Sequence, residues 1–93
     1  MSVKVKFYSL FRLNLKSSGT EYELDQTIKL KELIKKLDND FAGYISKKLM
    51  ESGQIRPGSI ILLNGKNVLH INSLETEITD GDVITLFPPS AGG

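Results

Sequence analysis

Cysteine and tryptophan are absent from this chain of 93 residues, and proline occurs only three times. Without a thiol there is no disulfide, no thiolate metal site, no iron–sulfur ligation and no cysteine nucleophile, so any sulfur the protein handles must be carried elsewhere. Histidine occurs once, at His70; no serine or carboxylate constellation around it can be argued, and it reads as a surface residue. No segment approaches the ~20 apolar residues of a membrane span, and Met1-Ser2-Val3-Lys4 lacks the apolar run of a signal peptide, so the expectation is a cytoplasmic protein without a membrane partner. An excess of one charge is missing too. Twelve Lys and Arg face 11 Asp and Glu, for a net charge of +1, which gives no reason to expect nucleic acid. No phosphate-binding loop or dinucleotide turn occurs, so ATP would have to be bound by another protein. Asp80-Gly81-Asp82 lacks the further oxygen ligands of a calcium loop and reads as a turn, with no metal expected. One domain of this size has little room for a catalytic cleft beside a nucleotide-binding unit. The chain is expected to be a substrate or partner of enzymes, with no catalytic residue of its own.

What is present is patterned. Val3, Val5 and Phe7 alternate with Lys4 and Lys6, predicting a strand with one buried face. Leu10 to Leu15 either extends that strand or turns away. Lys16-Ser17-Ser18-Gly19 then leads into Thr20-Glu21-Tyr22-Glu23-Leu24, so the two runs read as a hairpin. Leu30, Leu33, Ile34 and Leu37 fall at i, i+3, i+4 and i+7, the stripe of an amphipathic helix lying across a sheet. Asp38-Asn39-Asp40 interrupts this pattern, and Phe41, Tyr44, Ile45 and Leu49 predict a shorter second helix ending near Ser52-Gly53. Asn64-Gly65, between Ser59-Ile60-Ile61-Leu62-Leu63 and Lys66-Asn67-Val68, is a type I′ hairpin signal.

Ile60 to Leu63 are apolar in succession, as are Val83, Ile84, Leu86 and Phe87 around Thr85, so both strands have apolar side chains on both faces. If one helix covers the sheet, about half of these point at an open face and form a docking patch. Alternation assigns Val83 and Phe87 to that face and Ile84 and Leu86 to the core. The alternative is that both strands are central and covered by a loop.

The sequence ends on Phe87-Pro88-Pro89-Ser90-Ala91-Gly92-Gly93. Pro88 and Pro89 supply no N–H and stop the sheet, and glycines can lie in a channel too narrow for side chains. A stiff exit followed by a flexible tip is expected, dividing a domain of residues 1–87 from a tail of residues 88–93. A terminal Gly-Gly taken alone is equally what a frayed end or appended scar looks like.

The run from Ile78 through Asp80-Gly81-Asp82 and Pro88-Pro89 to Gly92-Gly93 resembles the end of the MoaD/ThiS family of ubiquitin-like sulfur carriers. Val3-Lys4-Val5-Lys6-Phe7-Tyr8 is similar to that family's first strand, and Leu30 to Leu37 to its main helix. Ile61-Leu62-Leu63-Asn64-Gly65-Lys66-Asn67-Val68 is similar to its central hairpin, in the form found in archaeal small modifier proteins. Together with the periodicity, the resemblance implies an α+β, ubiquitin-like β-grasp fold, with a mixed sheet of four to five strands, one main helix and a short second helix. It further implies that an E1-like enzyme docks on Phe87, Pro88 and Val83 and threads Ala91 and Gly92. That enzyme would adenylate the Gly93 carboxylate with its own ATP and Mg²⁺. A thiocarboxylate at Gly93 would then serve the large subunit of molybdopterin synthase, in molybdenum or tungsten cofactor synthesis. Alternatively, Gly93 would form an isopeptide bond with lysines of target proteins. Thiamine-type and tRNA-thiolation sulfur delivery share the same activation, and a noncovalent β-grasp binding module remains a different class of function. The longer segment from Phe41 to Gly58 and the stretch Leu69-His70-Ile71-Asn72-Ser73 depart from a plain molybdopterin synthase small subunit, which leaves the downstream partner open.

Overall fold

The computed structural model describes residues 2–89. β1 (Ser2–Phe7) buries Val3, Val5 and Phe7 and exposes Lys4 and Lys6, as the alternation predicts. The chain then turns away instead of extending. α1 (Leu10–Leu15) folds under the sheet and buries Phe11, whose ring centroid lies 6.1 Å from that of Phe7. β2 (Gly19–Glu23) returns antiparallel to β1, with Ser2 opposite Glu23 and Lys6 opposite Gly19. The expected pairing is therefore present, but a helix occupies its connection. Gly19 is sterically required there, because a Cβ would stand 2.1 Å from the Val5 carbonyl oxygen.

β3 (Ile28–Lys29) leads directly into α2 (Leu30–Asp40), which buries Leu30, Leu33, Ile34 and Leu37. The Glu32 carboxylate accepts from the Lys29 N–H at 2.9 Å, a reach back across the helix start that fixes where α2 begins. The acidic trio Asp38-Asn39-Asp40 does not break this helix, which runs through Asp40. Instead the Asp38 carboxylate accepts from the Ser46 N–H at 2.9 Å and from the Ser46 hydroxyl, satisfying an open donor in the first turn of α3 (Tyr44–Leu49). α3 buries Ile45 and Leu49. It stops short of Ser52-Gly53, because those two residues, at φ 51° and 77°, form the turn of a small hairpin between β4 (Met50–Glu51) and β5 (Gln54–Ile55).

β6 (Ile60–Leu63) and β7 (Lys66–Asn67) are joined by Asn64 and Gly65 at φ 49° and 87°, the positive pair a type I′ turn demands. Two 3₁₀ turns, Val68–His70 and Ser73–Glu75, precede β8 (Glu77–Ile78), which pairs antiparallel with β3. β9 (Val83–Phe87) closes the main sheet, whose strand order is β2-β1-β9-β6-β7. It runs parallel to β1 and antiparallel to β6. A parallel pair needs a crossover, and α2 supplies it across a single face. The buried residues of β1, α1, α2, α3, β6 and β9 form one continuous core on that face. The result is the α+β, β-grasp arrangement, with a five-stranded mixed sheet and three α-helices among the described residues.

Candidate functional site

Because the helices and core occupy one face, the other is left to the side chains of alternate parity. Registers place Lys6 beside Thr85 and Lys4 beside Val83 between β1 and β9, and Phe87 opposite Ile60 and Thr85 opposite Leu62 between β9 and β6. Ile84 and Leu86, the intervening residues, are fully buried. Val83, Leu62 and Phe87 are half-buried and Ile60 is 42% exposed. An apolar strip thus runs along the centre of the open face, ending at Phe87 where the sheet stops.

Two residues outside the strands complete that end of the strip. Tyr8 continues the even parity of Lys4 and Lys6, which puts its ring on the open face. There it stacks on Phe87 with centroids 5.2 Å apart and planes 17° from parallel. Arg12, on α1, donates from Nε to the Phe7 carbonyl at 3.2 Å, and its guanidinium lies 4.6 Å from the Tyr8 ring centroid. Ser9, at φ 56° and ψ −134°, makes the reversal that brings α1 back under this stack. A non-glycine residue in such a conformation is unusual and costs free energy. Tyr8 and Arg12 escape sequence reasoning. The signal for Tyr8 was its parity, but Arg12 depends on a turn that no local pattern announces.

The base of β9 is held as firmly as its end. Asn64 Nδ2 donates to Asp82 at 2.9 Å, and Asn64 Oδ1 accepts from the Val83 N–H at 2.9 Å. Asp82 also accepts from the Thr79 N–H at 2.8 Å, so Asp80-Gly81-Asp82 is the turn expected of it. Among the described residues no group of three or more His, Cys, Asp or Glu could hold a metal ion. His70 is exposed, as anticipated.

The sequence-derived docking residues separate here. Val83 and Phe87 share the open face, and Pro88 is buried. Pro89 is half-buried and rests beside Gly58, where an added Cβ would stand 3.5 Å from its own. Both prolines therefore pack against the body of the fold. The expectations at Ala91, Gly92 and Gly93 lie outside the described residues. No helix among those described is long and apolar enough to cross a membrane.

A model of the ThiS family matches residues 10–93. Small archaeal modifier protein 3 of Haloferax volcanii is 28% identical over 93 residues, covering all of both chains. A putative sulfur carrier protein of Archaeoglobus fulgidus is 31% identical over 94 residues, again covering all of both. Among solved structures, the Amycolatopsis orientalis BexX/CysO complex contains a chain 25% identical at a TM-score of 0.80, with 98% of this chain and 99% of that one covered. A putative molybdopterin converting factor subunit 1 from Pyrococcus furiosus is 27% identical at a TM-score of 0.70, with 97% and 99% covered.

Proposed function

Because the chain belongs to the ThiS family of ubiquitin-like sulfur carriers, we propose that it is a cytoplasmic carrier whose Gly93 carboxylate is activated by an E1-like enzyme. The observation that carries this reading is the extent of the family match, which runs through the diglycine to residue 93. A free carboxylate is a poor electrophile. The partner enzyme, with its own ATP and Mg²⁺, would convert it to an acyl-adenylate, releasing pyrophosphate. A sulfur donor would then displace AMP and leave a thiocarboxylate. The carrier contributes a positioned electrophile and a docking face, and the enzyme contributes the phosphate chemistry.

The leading use of that thiocarboxylate is delivery of sulfur to the large subunit of molybdopterin synthase. The likeness to the Pyrococcus furiosus subunit supports this route. A second reading is favoured by the full-length match to small archaeal modifier protein 3. In it a lysine amine of a target protein displaces AMP, forming an isopeptide bond at Gly93.

Both readings make the same first demand. Deleting Gly92-Gly93 leaves the thermal melting midpoint unchanged, because the buried apolar core lies between Val3 and Leu86, yet abolishes adenylate formation by the E1-like enzyme of the same cell. Undiminished adenylation of the deletion variant contradicts both.

A further inference from the structure

Resting on the reading that an adenylating enzyme activates Gly93, we infer that the turn Arg56-Pro57-Gly58-Ser59 is a seat for Pro88 and Pro89, its residues being positioning residues that fix the direction in which the chain leaves the fold. The first support is the register. β6 and β9 pair Ile60 with Phe87, and one and two further steps bring Ser59 opposite Pro88 and Gly58 opposite Pro89. The burial agrees. Ser59 and Pro88 are both buried, with the parity of Ile61 and Leu86, whereas Gly58 is exposed and Pro89 half-buried. Proline has no N–H to donate to a ladder, so these two residues cannot be held as a strand is held. Packing on the turn holds them instead.

The second support is the shape of the seat. Gly58 has φ 91°, the positive value demanded at the third position of a type II turn, and Pro57 stands at the second. The Ser59 N–H closes the turn by donating to the Arg56 carbonyl at 3.0 Å. Because Gly58 has no side chain, Pro89 comes close enough that an added Cβ would stand 3.5 Å from its own.

The third support is that the seat is tied down before any partner arrives. The Leu49 carbonyl, at the end of α3, accepts from the Arg56 N–H at 2.7 Å and from the Ser59 hydroxyl at 3.4 Å. The Arg56 guanidinium donates to the Lys47 and Met50 carbonyls at 3.3 and 3.4 Å. Leu49 is fully buried in the core, so the turn is fixed to the domain through α3. The segment from Phe41 to Gly58 thereby gains a task, because its last residues carry the root of the tail. Backbone freedom lost as a tail enters a channel opposes its entry, and two residues already fixed add nothing to that loss. The seat therefore acts on entry of the tail after docking, and not on docking itself.

The test compares wild type with Pro89→Gly, with an untied turn carrying Arg56→Met and Ser59→Ala, and with all three substitutions together. The Arg56 Nε is buried without a partner among the described residues, a cost that Arg56→Met removes, which limits the fall in melting midpoint. Ile78→Val, which trims the core at β8, is the control for lost stability. Pyrophosphate release by the E1-like enzyme gives kcat and KM, assayed below the lowest melting midpoint. The Gly92-Gly93 deletion of each form gives a Kd for docking alone, and the nuclear Overhauser effect between Gly58 and Pro89 protons reports the contact. Pro89→Gly and the untied turn should each lower kcat on the order of tenfold with the docking Kd unchanged. The triple variant should be no slower than Pro89→Gly, because both changes remove the same contact. Should the untied turn keep the contact, Gly58→Val takes its place, since a β-branched residue cannot hold φ 91° and must move the seat. The seat is wrong if wild type lacks the contact, if kcat survives its loss, or if the losses multiply in the triple variant. It is equally wrong if the docking Kd carries the loss or Ile78→Val slows turnover as much. If wild type gives no pyrophosphate with an enzyme that activates a control carrier, the activation reading fails and the seat loses its task, whether or not the contact is present.

Discussion

Phe87 and Leu86 are neighbours in sequence with opposite fates, and substituting each measures how the sheet is covered. Leu86 is fully buried among helices and strands, so Leu86→Ala should cost ~2–5 kcal/mol through lost contacts and an unfilled cavity. Phe87 is half-buried, resting mainly on Tyr8, and Phe87→Ala should cost only ~1–2 kcal/mol. Urea unfolding midpoints separate the two; equal losses would place Phe87 in the core. Alternation alone read this parity, because a strand leaves a side chain only two directions. It could not read Pro88, whose burial follows from the path taken after the last strand. Glu75 offers a second residue-scale test. Its carboxylate accepts from Lys29 and lies 2.8 Å from Lys31, and these hydrogen bonds hold its pKa at about 2, below the ordinary 4.5. A pKa lowered by folding means stability present above about pH 4.5 and lost as pH falls from there toward 2. Glu75→Gln should flatten that part of the stability–pH curve. The exposure of the site keeps the effect small, and an unchanged curve would show that the pair contributes nothing.

At the scale of elements, long periodic segments were legible and short ones were not. Leu30, Leu33, Ile34 and Leu37 announce α2 because a helix repeats its buried stripe over three turns. The two-residue strands β3 and β8 have no period to detect, and their pairing joins positions 28 and 78. Leu10 to Leu15 gives no decision by pattern, because six residues of mixed pattern suit a strand or a helix equally. In the sequence Ser52-Gly53 reads as the end of a helix, although the same residues supply the paired positive φ values of a hairpin turn. Asp38-Asn39-Asp40 interrupts the apolar pattern, yet Asp38 lies inside α2, and its carboxylate accepts from the start of the next helix. Asp38→Ala should therefore destabilise the protein by ~1 kcal/mol while leaving the circular dichroism of α2 intact. Extensive loss of helix would mean that Asp38 supports α2 itself.

For the whole molecule, one-sided coverage of the sheet is the feature that links fold to function. α2 crosses between β1 and the later strands on a single face, so strands that are apolar on both sides must show half of that surface to solvent. That exposed half leads along β9 to the prolines from which the diglycine tail follows in sequence. The architecture could be anticipated from periodicity and resemblance together. The place of Arg12 could not, since it reaches the Tyr8 ring only through the strained turn at Ser9. The central claim is that the Gly93 carboxyl group is activated and takes up sulfur, and intact mass tests it most directly. The protein and its Gly92-Gly93 deletion would be incubated with ATP, Mg²⁺, a sulfur donor and the E1-like enzyme of the same cell. A mass increase equal to one oxygen exchanged for sulfur, confined to the full-length chain, is the predicted result. An unchanged mass beside a control carrier that is converted by the same enzyme would contradict sulfur carriage.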